Sequence, residues 1–116
     1  MLKIYGIKNC DSVKKALDFL SENKINYDFH DYKKLGANEE LLRDFIKKFT
    51  LEKVLNKKGT SWKKLDETQQ KSAQNEKNAI DLMIANTSLI KRPIVIDGNI
   101  ALAGFDEDEY KKSLKN

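Results

Sequence analysis

The first twenty residues leave few folds open. Leu2-Lys3-Ile4-Tyr5 reads as a short strand with a tight turn at Gly6, and the only cysteine of the chain, Cys10, comes soon after. Val13, Ala16, Leu17 and Leu20 then recur at helical spacing, with Lys14, Lys15 and Asp18 between them, which predicts an amphipathic helix beginning directly after Cys10. Asp11 or Ser12 is the expected N-cap. Cys10 is therefore expected at or just before a helix N-terminus, where unpaired backbone N–H groups and the positive end of the helix dipole favour an anion. The thiolate is the nucleophilic form of cysteine, and a pKa of about 8.5 falls to roughly 3.5–7.5 in such surroundings. Lys8 would add to this effect and Asp11 would oppose it. A small buried hydrophobe is the other role for a lone cysteine; the local pattern favours the reactive thiol.

One cysteine forms no internal disulfide, and with a single histidine, His30, no structural zinc site is expected. No apolar run reaches the ~18 residues of a membrane span. Leu2-Lys3-Ile4-Tyr5 does not resemble a secretory leader, so a reducing cytoplasm is the expected setting. The 116 residues suit one domain, 1–116, with 40% hydrophobic and 34% charged residues, as in a soluble globular protein. The net charge of +4 comes from lysines dispersed among acidic residues, and Arg43 and Arg92 are the only arginines. Nucleic-acid reading leans on arginine, so no direct nucleic-acid partner is expected.

Further along, Asn26–Tyr32 alternates polar and aromatic residues, the period of a strand with one buried face. Strand, helix and strand in so short a span predict a βαβ unit with parallel strands. His30 falls on the polar phase and reads as a surface histidine rather than a base. Lys33–Ala37 reads as a loop. Asn38 then caps an amphipathic helix carrying Leu41, Leu42, Phe45, Ile46 and Phe49. Thr50 is placed to cap a short helix, Gly59–Trp62 reads as a turn, and Asp66 with Gln69 resembles a capping box. Ala79, Ile80, Met83 and Ile84 mark another helix ending near Asn86-Thr87. These segments form a helical insertion over about 37–88. Ile94-Val95-Ile96 and Ile100–Ala103 flank Asp97-Gly98-Asn99, a hairpin signal. Asp106 and Glu109 then open a C-terminal helix with Tyr110 and Leu114 inward. The order βαβ, helical block, ββα predicts one sheet with helices packed on it.

Pro93, the only proline, opens the strand Ile94–Ile96 and directly follows Arg92, whose guanidinium can grip a carboxylate or oxyanion bidentately. The strand followed by Gly6–Ser12, together with Ile90-Lys91-Arg92-Pro93-Ile94-Val95, resembles the arsenate reductase-like (ArsC/Spx/YffB) family. His30-Asp31-Tyr32, Lys58–Asp66 and Leu102–Phe105 are similar to its YffB branch in particular. The resemblance runs in order along nearly the whole chain. It implies an α/β, thioredoxin-like fold with a mixed sheet and a helical insertion between its halves. It also implies that Cys10 caps the first helix as the nucleophile, facing an anion-binding Arg92 that precedes a cis Pro93.

By the same resemblance, two further arginines of true arsenate reductases fall at Asn56 and in the Gly104-Phe105 region, which weakens an arsenate site. Spx-type regulators often carry a second cysteine where Val13 stands here. The expected function is therefore a monothiol, glutathione-dependent thiol–disulfide reductase. Cys10 would be its nucleophile, and Arg92, Pro93, Lys8, Asn9, Lys57 and Lys58 its binding residues. Glutathione is the expected co-substrate, with no tightly bound cofactor or metal, and the chain is expected as a monomer. The alternatives are a glutathione-linked arsenate reductase, or an Spx-like regulator that binds RNA polymerase without turnover.

Overall fold

The computed structural model describes residues 1–114 of the chain. In order, the elements are β1 (Leu2–Gly6), α1 (Asp11–Glu22), β2 (Tyr27–Asp31), α2 (Tyr32–Leu35), α3 (Glu39–Lys48) and α4 (Leu51–Val54). They continue with α5 (Thr60–Lys63), α6 (Glu67–Ser72), α7 (Glu76–Ala85), a 3-10 turn (Thr87–Leu89), β3 (Ile94–Asp97), β4 (Ile100–Ala103) and α8 (Glu107–Leu114). They divide into two units, Met1–Lys34 with Arg92–Asn116, and Leu35–Lys91.

The first unit is built on a mixed four-stranded sheet of order β2-β1-β3-β4. β1 pairs parallel with β2 and antiparallel with β3, and β3 pairs antiparallel with β4. This is an α/β, thioredoxin-like arrangement. Leu2, Ile4, Val95 and Leu102 from the strands pack with Ala16, Phe19 and Leu20 of α1 and Tyr110 of α8 in one buried cluster. Phe19 and Phe105 both meet the Tyr110 ring edge-on, at 5.7 and 4.8 Å between centroids. The Tyr110 hydroxyl donates to the Gly104 carbonyl at 2.8 Å, so the buried phenol keeps a partner while its ring fills the core. The hairpin forms where expected, with Asp97 opposite Ile100 and Gly98 at φ 58°, a left-handed backbone that glycine adopts without a Cβ clash.

Two features at the first strand and helix differ from the sequence reading. Gly6 does not make the turn: it is the last residue of β1, paired with Asp31. Its lack of a side chain serves close packing, since a Cβ there would lie 2.6 Å from Cγ2 of Val13. The turn falls at Ile7–Cys10, closed by the Cys10 N–H to the Ile7 carbonyl at 3.3 Å. The N-cap of α1 is neither Asp11 nor Ser12, as the local pattern suggests, but Cys10, as the resemblance implies, with φ −106° and ψ 129°. At the other end of α1, the Ile25 and Lys24 N–H groups return to the Leu20 and Ser21 carbonyls, a Schellman pattern. Lys24 occupies its left-handed position at φ 56°, where glycine is usual.

In the second unit Leu42, Phe45, Val54, Leu55, Ile80, Met83, Leu89 and Ile90 are buried. Three of its helix starts are ones the sequence marks. Asn38 accepts from the Leu41 N–H at 2.8 Å, Thr50 caps α4, and Asp66 with Gln69 forms a complete capping box. Tyr32–Leu35 and Thr60–Lys63, read as strand end, loop and turn, are instead single helical turns. Four residues are too few for a periodic signal to register. Arg43 is held by Glu39 at 3.0 Å and Glu76 at 2.8 Å. These pairs are exposed and add little stability, but they tie one of the two arginines to the surface of this unit. No helix among the described residues is long and apolar enough to cross a membrane.

Two substitutions test this account. Gly6→Ala drives a methyl into a stiff β-branched side chain, so it should lower unfolding free energy by about 1–3 kcal/mol, and Val13→Ala in the same chain should recover part of that. Lys24→Gly relieves the left-handed strain but loosens the unfolded chain; a net gain of about 0.5–1 kcal/mol is expected by urea denaturation, and a loss would contradict the assigned backbone.

Candidate functional site

Strand register places the site. β1 and β2 run parallel with Gly6 opposite Asp31, so both end at the same edge of the sheet. β3 runs the other way and starts there, with Ile94 opposite Tyr5. Three segments therefore meet at this edge: the Ile7–Cys10 turn leaving β1, the Asp31-Tyr32 step leaving β2, and Arg92-Pro93 entering β3. The Gly104 N–H, just past β4, fixes the third by donating to the Pro93 carbonyl at 2.8 Å. The Arg92-Pro93 bond is cis, as the resemblance implies.

Cys10 is half-buried, with a free thiol. Its own carbonyl accepts the first helical bond, from the Lys14 N–H at 2.9 Å. Its sulfur makes no close cap hydrogen bond of the kind Asn38 makes for α3; it nevertheless faces the start of α1 and the Arg92 side chain. Burial pushes the thiol pKa up. The Val13 N–H, a hydrogen bond from Arg92, the Ser12 N–H and the charge of Arg92 pull it down, and together they win: Cys10 is held below its ordinary value. These are helix-terminus donors and a fixed cation acting on the thiolate. Lys8 lies exposed on the turn; the backbone amides and Arg92 are the groups that lower the thiol pKa.

The structure brings Cys10, Arg92 and Pro93 together, with Lys8 and Asn9 exposed at the tip of the adjoining turn. Pro93 has no N–H, and its carbonyl accepts the Gly104 N–H, which anchors the Arg92-Pro93 step. Lys57 and Lys58 belong to the second unit, and the sulfur environment just described is built without them. There Lys57 Nζ lies 5.6 Å from the centre of the Trp62 ring, a cation–π distance. The Lys58 N–H donates to Asn56 Oδ1 at 3.2 Å, which occupies the Asn56 side chain locally. Among the described residues no group of three or more His, Cys, Asp or Glu is placed to hold a metal ion.

Sequence reasoning passed over an aromatic group at the same edge. His30, taken for a surface residue, is half-buried between Tyr5 at 5.1 Å and Tyr32 at 5.7 Å, and the two tyrosine rings stack at 6.4 Å. Asp31, the buried carboxylate beside them, accepts the Lys33 N–H at 2.9 Å and starts α2. The signal was present in the alternation at residues 28, 30 and 32, whose polar phase ends in a tyrosine, but a period of two does not say which face meets a site.

Comparison with known proteins agrees with this geometry. The ArsC family model matches residues 5–113. The solved structure of a YffB protein superposes with a TM-score of 0.92 at 46% sequence identity, covering 98% of this chain and 99% of that one. An uncharacterized protein of Haemophilus influenzae is 40% identical over 111 residues, 96% of either chain. The global transcriptional regulator Spx of Streptococcus agalactiae is 30% identical over 121 residues, covering 98% of this chain and 83% of the regulator. With the family model spanning nearly the full length and an N-cap cysteine facing an Arg–cis-Pro step, the chain belongs to the ArsC family.

Proposed function

We propose that the chain is a monothiol thiol–disulfide reductase of the cytoplasm that uses Cys10 as nucleophile and glutathione as reductant. The observation that carries this reading is the half-buried Cys10 sulfur, whose thiolate is favoured by the α1 amides and by Arg92, in a sequence with no second cysteine to resolve a disulfide. The Cys10 thiolate attacks the glutathione sulfur of a mixed disulfide R–S–SG. The S–S bond breaks, R–S⁻ leaves and takes a proton from water, and Cys10–S–SG forms. A second glutathione thiolate then attacks the Cys10-linked glutathione sulfur, releasing oxidised glutathione and restoring the Cys10 thiolate. The net exchange turns R–S–SG and one glutathione thiol into R–SH and oxidised glutathione, so the incoming glutathione is the reductant. Arg92 offers the planar fork suited to a glutathione carboxylate, and Lys8 and Asn9 present exposed polar groups beside the sulfur.

Arsenate is the weaker substrate. An oxyanion calls for several converging donors; Arg43 is committed to Glu39 and Glu76, which leaves Arg92 as the one guanidinium at the sulfur. A second reading is favoured by the Spx relative, named as a transcriptional regulator: the domain would bind RNA polymerase and turn nothing over.

A coupled assay with reduced glutathione, a small disulfide, glutathione reductase and NADPH separates these readings. Wild type should turn over, Cys10→Ser should fall to background, and Arg92→Ala should lose about tenfold, in line with one charge-assisted hydrogen bond. Full activity in Cys10→Ser would remove the reductase. Inactive wild type that retains RNA polymerase in a pull-down, with or without Cys10, would establish the regulator.

A further inference from the structure

β4 closes the sheet on one side, in the order β2-β1-β3-β4, and its outer edge is open. The register says which groups lie there. The Gly104 N–H donates to the Pro93 carbonyl at 2.8 Å, and the bonded pairs of an antiparallel ladder fall at every second residue. Leu102, opposite Val95, and Ile100, opposite Asp97, therefore turn their N–H and C=O groups toward β3. Those of Ala101 and Ala103 point out of the sheet. Both alanines are half-buried, and among the described residues no hydrogen bond reaches these outward groups. Such a row is a template for another strand. β2, at the opposite edge, carries Asp28 and Asp31, whereas Ile100–Ala103 holds neither a charge nor a proline, two of the devices that close an edge. Beside it Ile100, Phe105 and Leu114 are only partly buried against the core.

The charge around this edge says what fits it. In a chain of net charge +4, every charged side chain from Ile94 to Tyr110 is acidic. Asp97 stands at the hairpin end of β4, and Asp106, Glu107, Asp108 and Glu109 follow its other end. Glu107 is paired with Lys111 at 3.3 Å and Asp106 accepts the Glu109 N–H; Lys3 lies on the row of Ala101 but two strands in. Both ends of the edge are thus negative. Two copies of this chain paired antiparallel through β4 would set the Asp97 end of each against the acidic start of α8 in the other, like charge on like. We propose that the β4 edge receives an extended segment of a partner protein, with alternating apolar residues and with lysines or arginines flanking both ends. Its backbone extends the sheet through Ala101 and Ala103, its apolar side chains continue the core over Ile100 and Phe105, and its basic ends meet the acids. This surface is independent of the Cys10 chemistry.

The test titrates the full chain, labelled with nitrogen-15, with the peptide acetyl-Lys-Lys-Val-Thr-Val-Thr-Val-Lys-Lys-amide, which carries no cysteine. The Ala101 and Ala103 amide resonances should move farthest, and their hydrogen exchange should slow. Affinity should fall about tenfold when the central peptide amides are N-methylated, a change that removes hydrogen-bond donors and keeps the charge. Affinity should also fall in Asp108→Lys/Glu109→Lys, which leaves the backbone edge in place. The same peptide with glutamate for lysine should not bind, which decides the role of charge even if that variant fails to fold. Absence of shifts at about 1 mM peptide, shifts centred elsewhere, equal binding of the acidic and basic peptides, or binding untouched by N-methylation would each overturn the proposal. So would dimerisation of the free chain through the same two amides, which would make a second copy the occupant.

Discussion

A negative charge on one sulfur, steadied by the first amides of α1 and by a single guanidinium, is what the rest of this molecule is arranged to allow. The two contributions differ in kind. The Val13 and Ser12 N–H groups belong to the backbone, cost no side-chain entropy to hold, and exist because a helix cannot pair its own first donors. Arg92 is a side chain, brought in from the far end of the sequence by the antiparallel pairing of β3 with β1. Burial of the thiol works against both, so the balance depends on how closely helix and strand are held.

That closeness comes from packing remote from the chemistry. Gly6 lets β1 approach Val13, which is fully buried in the first turn of α1. Ala16 and Leu20 continue the contact down the helix, and Phe19 locks it to Phe105 and Tyr110. Gly104 holds the Pro93 carbonyl and also receives the Tyr110 hydroxyl, so the residue steadying the Arg92-Pro93 step is itself tied to the core. The packing is close where the charge is met, and the Lys8-Asn9 turn beside it is exposed.

What the sequence made legible were the features whose causes are local. The helix after Cys10, the hairpin around Gly98, the Asn38 cap and the Asp66–Gln69 box are each decided by residues within a few positions of one another, and each formed. The reason for Gly6 was not legible, because it lies in a contact with Val13 that only the folded chain creates. The N-cap moved to Cys10 because the Ile7–Cys10 turn closes there, a matter of backbone bonding with no mark in side-chain pattern. Cys10 stood out by its place at a helix start, and Arg92 through resemblance rather than through anything in the spacing of residues 10 and 92. The grouping of Tyr5, His30 and Tyr32 was missed because alternation reports burial, not neighbours.

The most direct measurement is the titration of the Cys10 thiolate, followed by its ultraviolet absorbance as pH is raised, with Cys10→Ser as the blank. Since Cys10 is the only cysteine, the difference reports one group. The midpoint should lie clearly below the ~8.5 of a free cysteine and should rise in Arg92→Ala. A midpoint at or above that value, unmoved by loss of Arg92, would mean that burial outweighs the amides and the guanidinium, and the charge on which the account turns would not be there.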